Sequence, residues 1–531
     1  MNPLKPLLEK LSASALSACW LLFLPSCTTD KNPQKTDAVV SDPVHEVAWH
    51  KGDVESAFIK AKNEHKKLFL YWGAKWCPPC NSLKARVFSK PRFKELMKHF
   101  VPIYLDGDTE MAQIWADRLQ AYGYPTVIVF NPDGTEIMRI SEGVDIAEFE
   151  TAINSVLQES ETSMQLITKC LDGGASDSDW KTLTYISWEQ IPGKVLSDTK
   201  KLEQLGRLVE MMPPRLEKER ALLTAGLVAL AADLSEEGVS PEISRIIKKN
   251  PEKYLDGIFL SNETIKSCRN FIGYNSAGTL KWLFPDRRSS GYKKYREKFL
   301  AAAAFLADSG YESLDVRLLG FQPQLAIYRL EHGDSAKIPD MLRQKVIETV
   351  EEIDRSAKSS YERHSTISMS ARILREAGEV ERARKLLVRE SRDTDTPWYY
   401  YSSLSVLEQK EGNREEAAKW AEAAKNSAKG NSTKIQWIVE ELSLTVELFG
   451  KERQDRVYKL LEEYYALATS LPDGFSGRNK NRADTVSKRV KSLGRDKRLD
   501  SLVSANQKKC MELKGKNRDL CIGHFSDIQR L

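Results

Sequence analysis

Two cysteines separated by two prolines, Cys77-Pro78-Pro79-Cys80, follow an apolar run from Leu68 to Trp72 and a short Gly73-Ala74 turn. The run reads as a buried strand, and Leu83, Ala85 and Val87 after the cysteines continue in a helical pattern. A C-x-x-C at a strand-to-helix junction puts its first sulfur at a helix N-terminus. Unpaired backbone N–H groups and the positive end of the helix dipole favour the thiolate there. Such sites hold a Cys pKa at roughly 3.5–7.5, against about 8.5 for an ordinary thiol. Pro78 is tolerated because the N–H it lacks would have no partner at that position. Cys77 is then the attacking thiol, and Cys80, one turn along and facing inward, is the resolving one. As half a zinc site the pair would need two more ligands, yet the other cysteines are distant and no His-x3-His accompanies it. The expectation is no metal and no cofactor beyond a redox-active Cys77–Cys80 disulfide.

The surrounding pattern is specific. Trp76 precedes Cys77, and Val87-Phe88-Ser89 and Phe100–Asp106 follow. Tyr122-Gly123-Tyr124-Pro125-Thr126 then runs into Val127–Phe130 and the turn Asn131-Pro132-Asp133-Gly134. On these residues the stretch 45–160 resembles the thioredoxin superfamily, in the branch that includes the C-terminal domain of the periplasmic interchange protein DsbD. The resemblance implies an α/β thioredoxin-like domain, a central mixed sheet flanked by helices. It also implies that Pro125 is a cis-proline facing the cysteines, that the Tyr124 backbone pairs with the substrate chain beside Cys77, and that Trp76 covers the thiolate. Thioredoxin carries a buried Asp five residues before the motif's Trp; here that position is Tyr71. The usual proton acceptor for Cys80 is therefore missing.

At 531 residues the chain is too long for one core. Its net charge of +5, from 80 basic and 75 acidic residues, argues neither for nor against a polyanionic partner. The first 26 residues, with an apolar run from Leu11 to Leu24 ending in Leu24-Pro25-Ser26-Cys27, resemble a bacterial lipoprotein signal. That implies acylation of Cys27 and, by analogy from Thr28, sorting to the periplasmic face of the outer membrane. Residues 27–44 read as a flexible tether. Beyond 160 the strand signals vanish, and 161–345 reads as a helical region. In 346–470, Ala371-Arg-Ile-Leu-Arg-Glu-Ala-Gly378 with Ala383 is echoed by Ser405-Val-Leu-Glu-Gln-Lys-Glu-Gly412 with Ala417, both steps spanning 34 residues. That period and those small residues resemble tetratricopeptide hairpins, with a weaker copy at Leu448-Phe449-Gly450. Residues 471–531, rich in Lys and Arg with few large apolar side chains, read as a solvated basic helical tail rather than a nucleic-acid site. In an exported chain Cys170, Cys268, Cys510 and Cys521 can pair in three ways, with a local Cys510–Cys521 bridge as one hypothesis.

The functional expectation is a membrane-tethered periplasmic thiol-disulfide oxidoreductase acting on protein thiols and disulfides. It leans to reductase or isomerase, draws on a membrane or soluble electron donor, and recruits a protein partner on its helical repeats. The alternative is a non-catalytic scaffold lipoprotein that uses both regions as binding modules. The anchor has a direct test: Cys27→Ser should release the protein from membranes in fractionation, whereas unchanged association would point to an uncleaved apolar anchor.

Overall fold

The computed structural model describes residues 47–530 apart from 122, 142, 159, 239–240, 309 and 311–312. The signal, Cys27 and the tether 27–44 lie outside the described residues. The chain divides into two units, one of His50–Glu390 and one built from Ser391 to the C-terminal helices.

The first unit is organised around strand β1 (Lys67–Gly73), whose every residue after Lys67 is buried. With β2 (Phe100–Asp106), β3 (Thr126–Phe130) and β4 (Glu136–Ile140) it forms a sheet in the order β2-β1-β3-β4. Leu70 sits opposite Ile103 of the parallel β2 and opposite Ile128 of the antiparallel β3. The β3–β4 hairpin turns through Gly134, whose φ of +89° suits glycine. Helices α1 (Val54–Asn63), α2 (Pro78–Leu83), α3 (Pro91–Met97), α4 (Glu110–Arg118) and α5 (Ile146–Gln158) flank the sheet. Asp53 caps α1 by accepting the Ser56 N–H at 2.7 Å. This is the mixed-sheet thioredoxin-like arrangement expected from the sequence.

Strand side chains alternate between faces, so β1 serves two cores. Phe69 meets Phe88, Phe93, Phe100 and Phe149 at centroid distances of 5.9–6.4 Å, on the face that carries α2, α3 and α5. Tyr71, two residues on, points to that same face and packs edge-on against Phe88 at 4.9 Å. The opposite face holds Trp72 against Tyr124 at 4.4 Å, and Phe58 of α1 against Phe130. One departure from the expected single helix follows Cys80. The α-helix ends at Leu83, and a π-helical turn, Lys84–Phe88, takes over. The wider turn lets Lys84, Val87 and Phe88 all face inward.

The rest of this unit is helical. It comprises α6 (Ser163–Leu171), α7 (Asp177–Thr184), α8 (Asp198–Met211), α9 (Glu217–Glu236), α10 (Glu242–Lys249), α11 (Pro251–Leu255) and α12 (Asn262–Ser267). Then come α13 (Arg269–Leu283), α14 (Ser290–Asp308), α15 (Leu314–Leu319), α16 (Phe321–His332), α17 (Asp340–Ser356), α18 (Ser360–Glu376) and α19 (Val380–Glu390). Residue 160 is not a boundary between separate bodies. Buried Arg269 of α13 reaches Glu148 of α5 at 3.2 Å and also donates to the Gly143 carbonyl. Helix α18 packs along α2.

The expected repeat region 346–470 is shared between the units. The α18–α19 hairpin belongs to the first, while α20 (Pro397–Lys410), α21 (Arg414–Ser427), α22 (Asn431–Phe449) and α23 (Gln454–Ala468) belong to the second. Small residues sit where paired helices touch: Ala383 and Ala417 are fully buried, and the Ser405 hydroxyl donates to the Ala417 carbonyl at 2.8 Å. Gly378 and Gly412, at φ +89° and +85°, end the first helix of their hairpins. The third copy is offset from the second by 38 residues, a step spanned by Gln409–Glu447 and Lys425–Glu463.

The basic tail expected over 471–531 is instead packed structure. Helices α24 (Gly477–Leu493), α25 (Lys497–Cys510) and α26 (Gly515–Gln529) share a core with α22 and α23. Ala483, Val486, Val490, Leu499, Val503 and Phe525 are buried in it, so small apolar residues line the inner face and the Lys and Arg side chains take the outer one. His524 of α26 bridges Tyr465 and Ser487 at 3.0 Å each. Cys510 and Cys521 are disulfide-bonded across the α25–α26 turn. No helix among the described residues is long and apolar enough to cross a membrane. Closing a short loop covalently stabilises a fold by about 2–4 kcal/mol. Cys510→Ser should therefore lower the stability of the second unit by roughly that amount in denaturant unfolding, and a loss below ~0.5 kcal/mol would show that packing alone holds α26.

Candidate active site

Cys77 is the N-cap of α2, in extended backbone at φ −77° and ψ 116°, with Pro78 in the first turn. Its sulfur accepts the Cys80 N–H at 3.3 Å, the bond a capping side chain makes to the third helical amide. Pro78 and Pro79 have no N–H to offer, so the amide of Cys80 does what theirs cannot. Asn81 tightens the junction by donating to the Lys75 and Cys77 carbonyls at 2.8 and 3.0 Å. Cys77 retains 4% exposure and Cys80 none. The two are not disulfide-bonded, so the geometry is that of the reduced pair.

The other expected site residues gather around Cys77. Trp76 donates through Nε1 to Asp108 at 2.8 Å and packs against the Tyr124 ring at 5.9 Å. The Tyr124–Pro125 peptide is cis, matching the implication of the resemblance. The Tyr124 hydroxyl donates to the Gly107 carbonyl at 2.9 Å and accepts from Gln113 at 2.7 Å. Only glycine fits at 107, since a Cβ there would fall 2.2 Å from the Tyr124 hydroxyl. The Pro125 carbonyl accepts from Gln190 at 3.0 Å, which ties the loop to a 3-10 turn at Trp188–Gln190. Cys27, the expected lipid anchor, lies outside the described residues.

Beneath Cys80 lie Tyr71, marked in the sequence as replacing the usual acid, and Lys84, which sequence reading missed. The Tyr71 hydroxyl faces the Cys80 sulfur, and burial with the nearby sulfur charges pushes the phenol well above its ordinary value. Lys84, one turn past Cys80, is buried at 3% exposure. Burial pushes the Cys80 thiol up; the hydrogen bond with Cys77, the Lys84 charge, the Ala74 backbone and the Tyr71 hydroxyl outweigh it and hold the thiol below its ordinary value. The sulfurs interact directly, so one charge belongs to the pair. By contrast, burial pushes Cys170 up to about 12. Spacing could have flagged Lys84, four residues after Cys80 on a helix, but a lysine there reads by default as solvated.

Helices from the later part of the unit cover this side. Ser82 donates to Asp315 at the start of α15, Arg86 lies 3.8 Å from the same carboxylate, and the Lys84 ammonium sits 5.2 Å from the Tyr361 ring of α18. Among the described residues no group of three or more His, Cys, Asp or Glu is arranged to hold a metal ion.

The family comparison decides the type of domain that holds this site. Residues 54–157 match the thioredoxin-like domain. Among solved structures, a thioredoxin from Thermus thermophilus is 24% identical, covering 21% of this chain and 86% of its own at a TM-score of 0.19. A DsbH oxidoreductase is 17% identical, covering 24% of this chain and 95% of its own at a TM-score of 0.20. No curated protein matches the chain. The thioredoxin-like domain thus holds both cysteines, Trp76, Tyr124 and Pro125, while the helices past residue 160 supply Asp315 and Tyr361. Because the residual exposure belongs to Cys77, iodoacetamide should label Cys77 before Cys80 in the reduced protein. Equal rates by peptide mass spectrometry would count against the capping geometry as the source of reactivity.

Proposed function

We propose that the protein is a thiol-disulfide oxidoreductase that exchanges disulfides with protein substrates through Cys77, with Cys80 resolving the mixed disulfide. The observation that carries this reading is the Cys77 sulfur at the N-terminus of α2, hydrogen-bonded by the Cys80 amide beside Trp76. Attack by the Cys77 thiolate on a substrate disulfide forms the mixed disulfide and expels one substrate thiolate; Cys80 then displaces the other. The substrate gains two electrons and the pair becomes a disulfide, to be reduced again by an outside membrane or soluble donor. The fitting place for this chemistry is the periplasmic face of an outer membrane, with the chain tethered through acylated Cys27. The tetratricopeptide-like hairpins would recruit a protein partner.

Direction depends on how well the site holds a thiolate, since a stabilised thiolate makes the disulfide more oxidising. The two prolines withhold two N–H groups from Cys77 and leave the donor role at the third position to the Cys80 amide, which favours a reductase or isomerase. Lys84 pulls the couple partway back. The scaffold reading draws support from one fact: Cys77 and Cys80 are both nearly inaccessible in the reduced form.

Insulin reduction by the full chain with dithiothreitol, compared with Cys77→Ser, separates the two readings. The oxidoreductase should precipitate insulin at a rate that Cys77→Ser abolishes, and indistinguishable rates would favour the scaffold. Equilibration against glutathione should give a potential between about −180 mV, as for protein disulfide isomerase, and about −270 mV, as for thioredoxin; a value near −120 mV would overturn the direction.

A further inference from the structure

Three elements converge beneath Cys80: β1 with Tyr71, β2 with Tyr104, and α18 with Tyr361. Lys84 is buried at their junction, its Nζ 5.7 Å from the Tyr104 ring centroid and 5.2 Å from that of Tyr361. Tyr104 stacks on Tyr71 at 5.2 Å with the planes 19° apart, and its hydroxyl donates to the Gly73 carbonyl at 3.4 Å. An ammonium taken out of water needs compensation, and ring faces provide part of it. The nearby carboxylate of Asp315 is engaged by Arg86, Ser82 and Ser313.

The titratable groups facing Cys80 are Cys77 and Lys84 from its own helix, Tyr71 from β1 and Tyr104 from β2. Asp106 and Asp108, in the loop after β2, act on Tyr104, and α18 contributes the Tyr361 ring. Of the groups named, Lys84 carries the positive charge.

We propose that Lys84 is a positioning residue for the resolving step: buried one turn past Cys80 and held between the Tyr104 and Tyr361 rings, its ammonium stabilises negative charge on the Cys80 sulfur. The role rests on the oxidoreductase reading above. In the step, the Cys80 thiolate attacks the Cys77 sulfur of the mixed disulfide and the Cys77–Cys80 bond forms. The bond from Cys77 to the substrate sulfur breaks, and the substrate leaves as a thiolate that takes up the proton Cys80 has lost. Lys84 neither gives nor takes a proton; it lowers the cost of the charge on sulfur. Tyr71 stands where thioredoxin has a carboxylate and offers no base to accept the proton. Because Tyr361 lies on α18, the helical region completes the redox site.

The test uses the full chain in a Cys77→Ser background, reading far-ultraviolet thiolate absorbance against pH with Cys77→Ser/Cys80→Ser as the blank. Adding Lys84→Met should raise the midpoint for Cys80 by about one unit or more, and Lys84→Arg should return it most of the way. With both cysteines intact, Lys84→Met should slow collapse of a trapped mixed disulfide about tenfold at neutral pH. The first attack, measured in Cys80→Ser, should slow by much less than the collapse, and equal slowing of both steps would overturn a role specific to resolution. An unmoved midpoint, or equal shifts with Met and Arg, overturns the proposal. If the midpoint moves as expected but the intact chain exchanges no disulfide, the oxidoreductase reading fails while the electrostatic role of Lys84 stands. Exchange that proceeds with an unmoved midpoint has the opposite meaning.

Discussion

Strand β1 is buried on both faces, and the site around Cys77 and Cys80 inherits its geometry from that constraint. A central strand with no exposed face cannot carry an unpaired charge without a large desolvation cost. Position 71 faces the α2 side, directly beneath Cys80, and is closed to water by Phe88 and Tyr104. A carboxylate there would need a proton or a partner. A tyrosine satisfies the same space with an aromatic body and one polar atom aimed at sulfur. Tyr71 meets that constraint without burying a carboxylate.

That enclosure comes largely from chain far away in sequence. Helix α18 lies against α2, α15 meets α2 through the Ser82–Asp315 hydrogen bond, and Arg269 of α13 grips the start of α5 through Glu148 and the Gly143 carbonyl. Breaking a buried pair of that kind by removing one partner typically costs 3–5 kcal/mol, because the other charge is left stranded. The helical region is therefore anchored to the thioredoxin-like domain at both the helix that carries Cys80 and its C-terminal helix. A fragment ending near residue 160 would expose Lys84, Ser82 and Arg86 to water and lose the electrostatics of the intact site.

Local pattern made much of this legible in the sequence. The strand, the C-x-x-C junction, the Tyr124-Pro125 segment and the hairpin turn at Gly134 are each specified by residues within a few positions of one another. The helical hairpins were legible from Ala371, Ala383, Ser405 and Ala417, since only small side chains permit the approach seen at the Ser405–Ala417 bond. What escaped reading depends on long-range packing. Tyr361 and Asp315 carry no local mark of a role, and their value arises from meeting α2 more than 200 residues away. The C-terminal helices were misread because Ala483, Val486 and Val490 form a narrow buried stripe among many Lys and Arg residues. Composition averaged over such a segment hides the stripe; helical spacing reveals it.

A buried carboxylate and a buried ammonium solve the same problem at a resolving cysteine by opposite means. A carboxylate accepts the proton and must later return it, so its own pKa has to match that of the thiol. An ammonium cannot accept a proton. It makes the thiolate cheaper and leaves the proton to be taken up elsewhere, in exchange chemistry by the departing substrate thiolate. This second solution needs no path for a proton between side chains, and it tolerates the dry, ring-lined surroundings that Tyr71, Tyr104 and Tyr361 create around Lys84. It also couples reactivity to packing, because the cation stays beside the sulfur only while α18 holds its ring over Nζ. In this protein the helical region and the electrostatics of Cys80 are one structural feature.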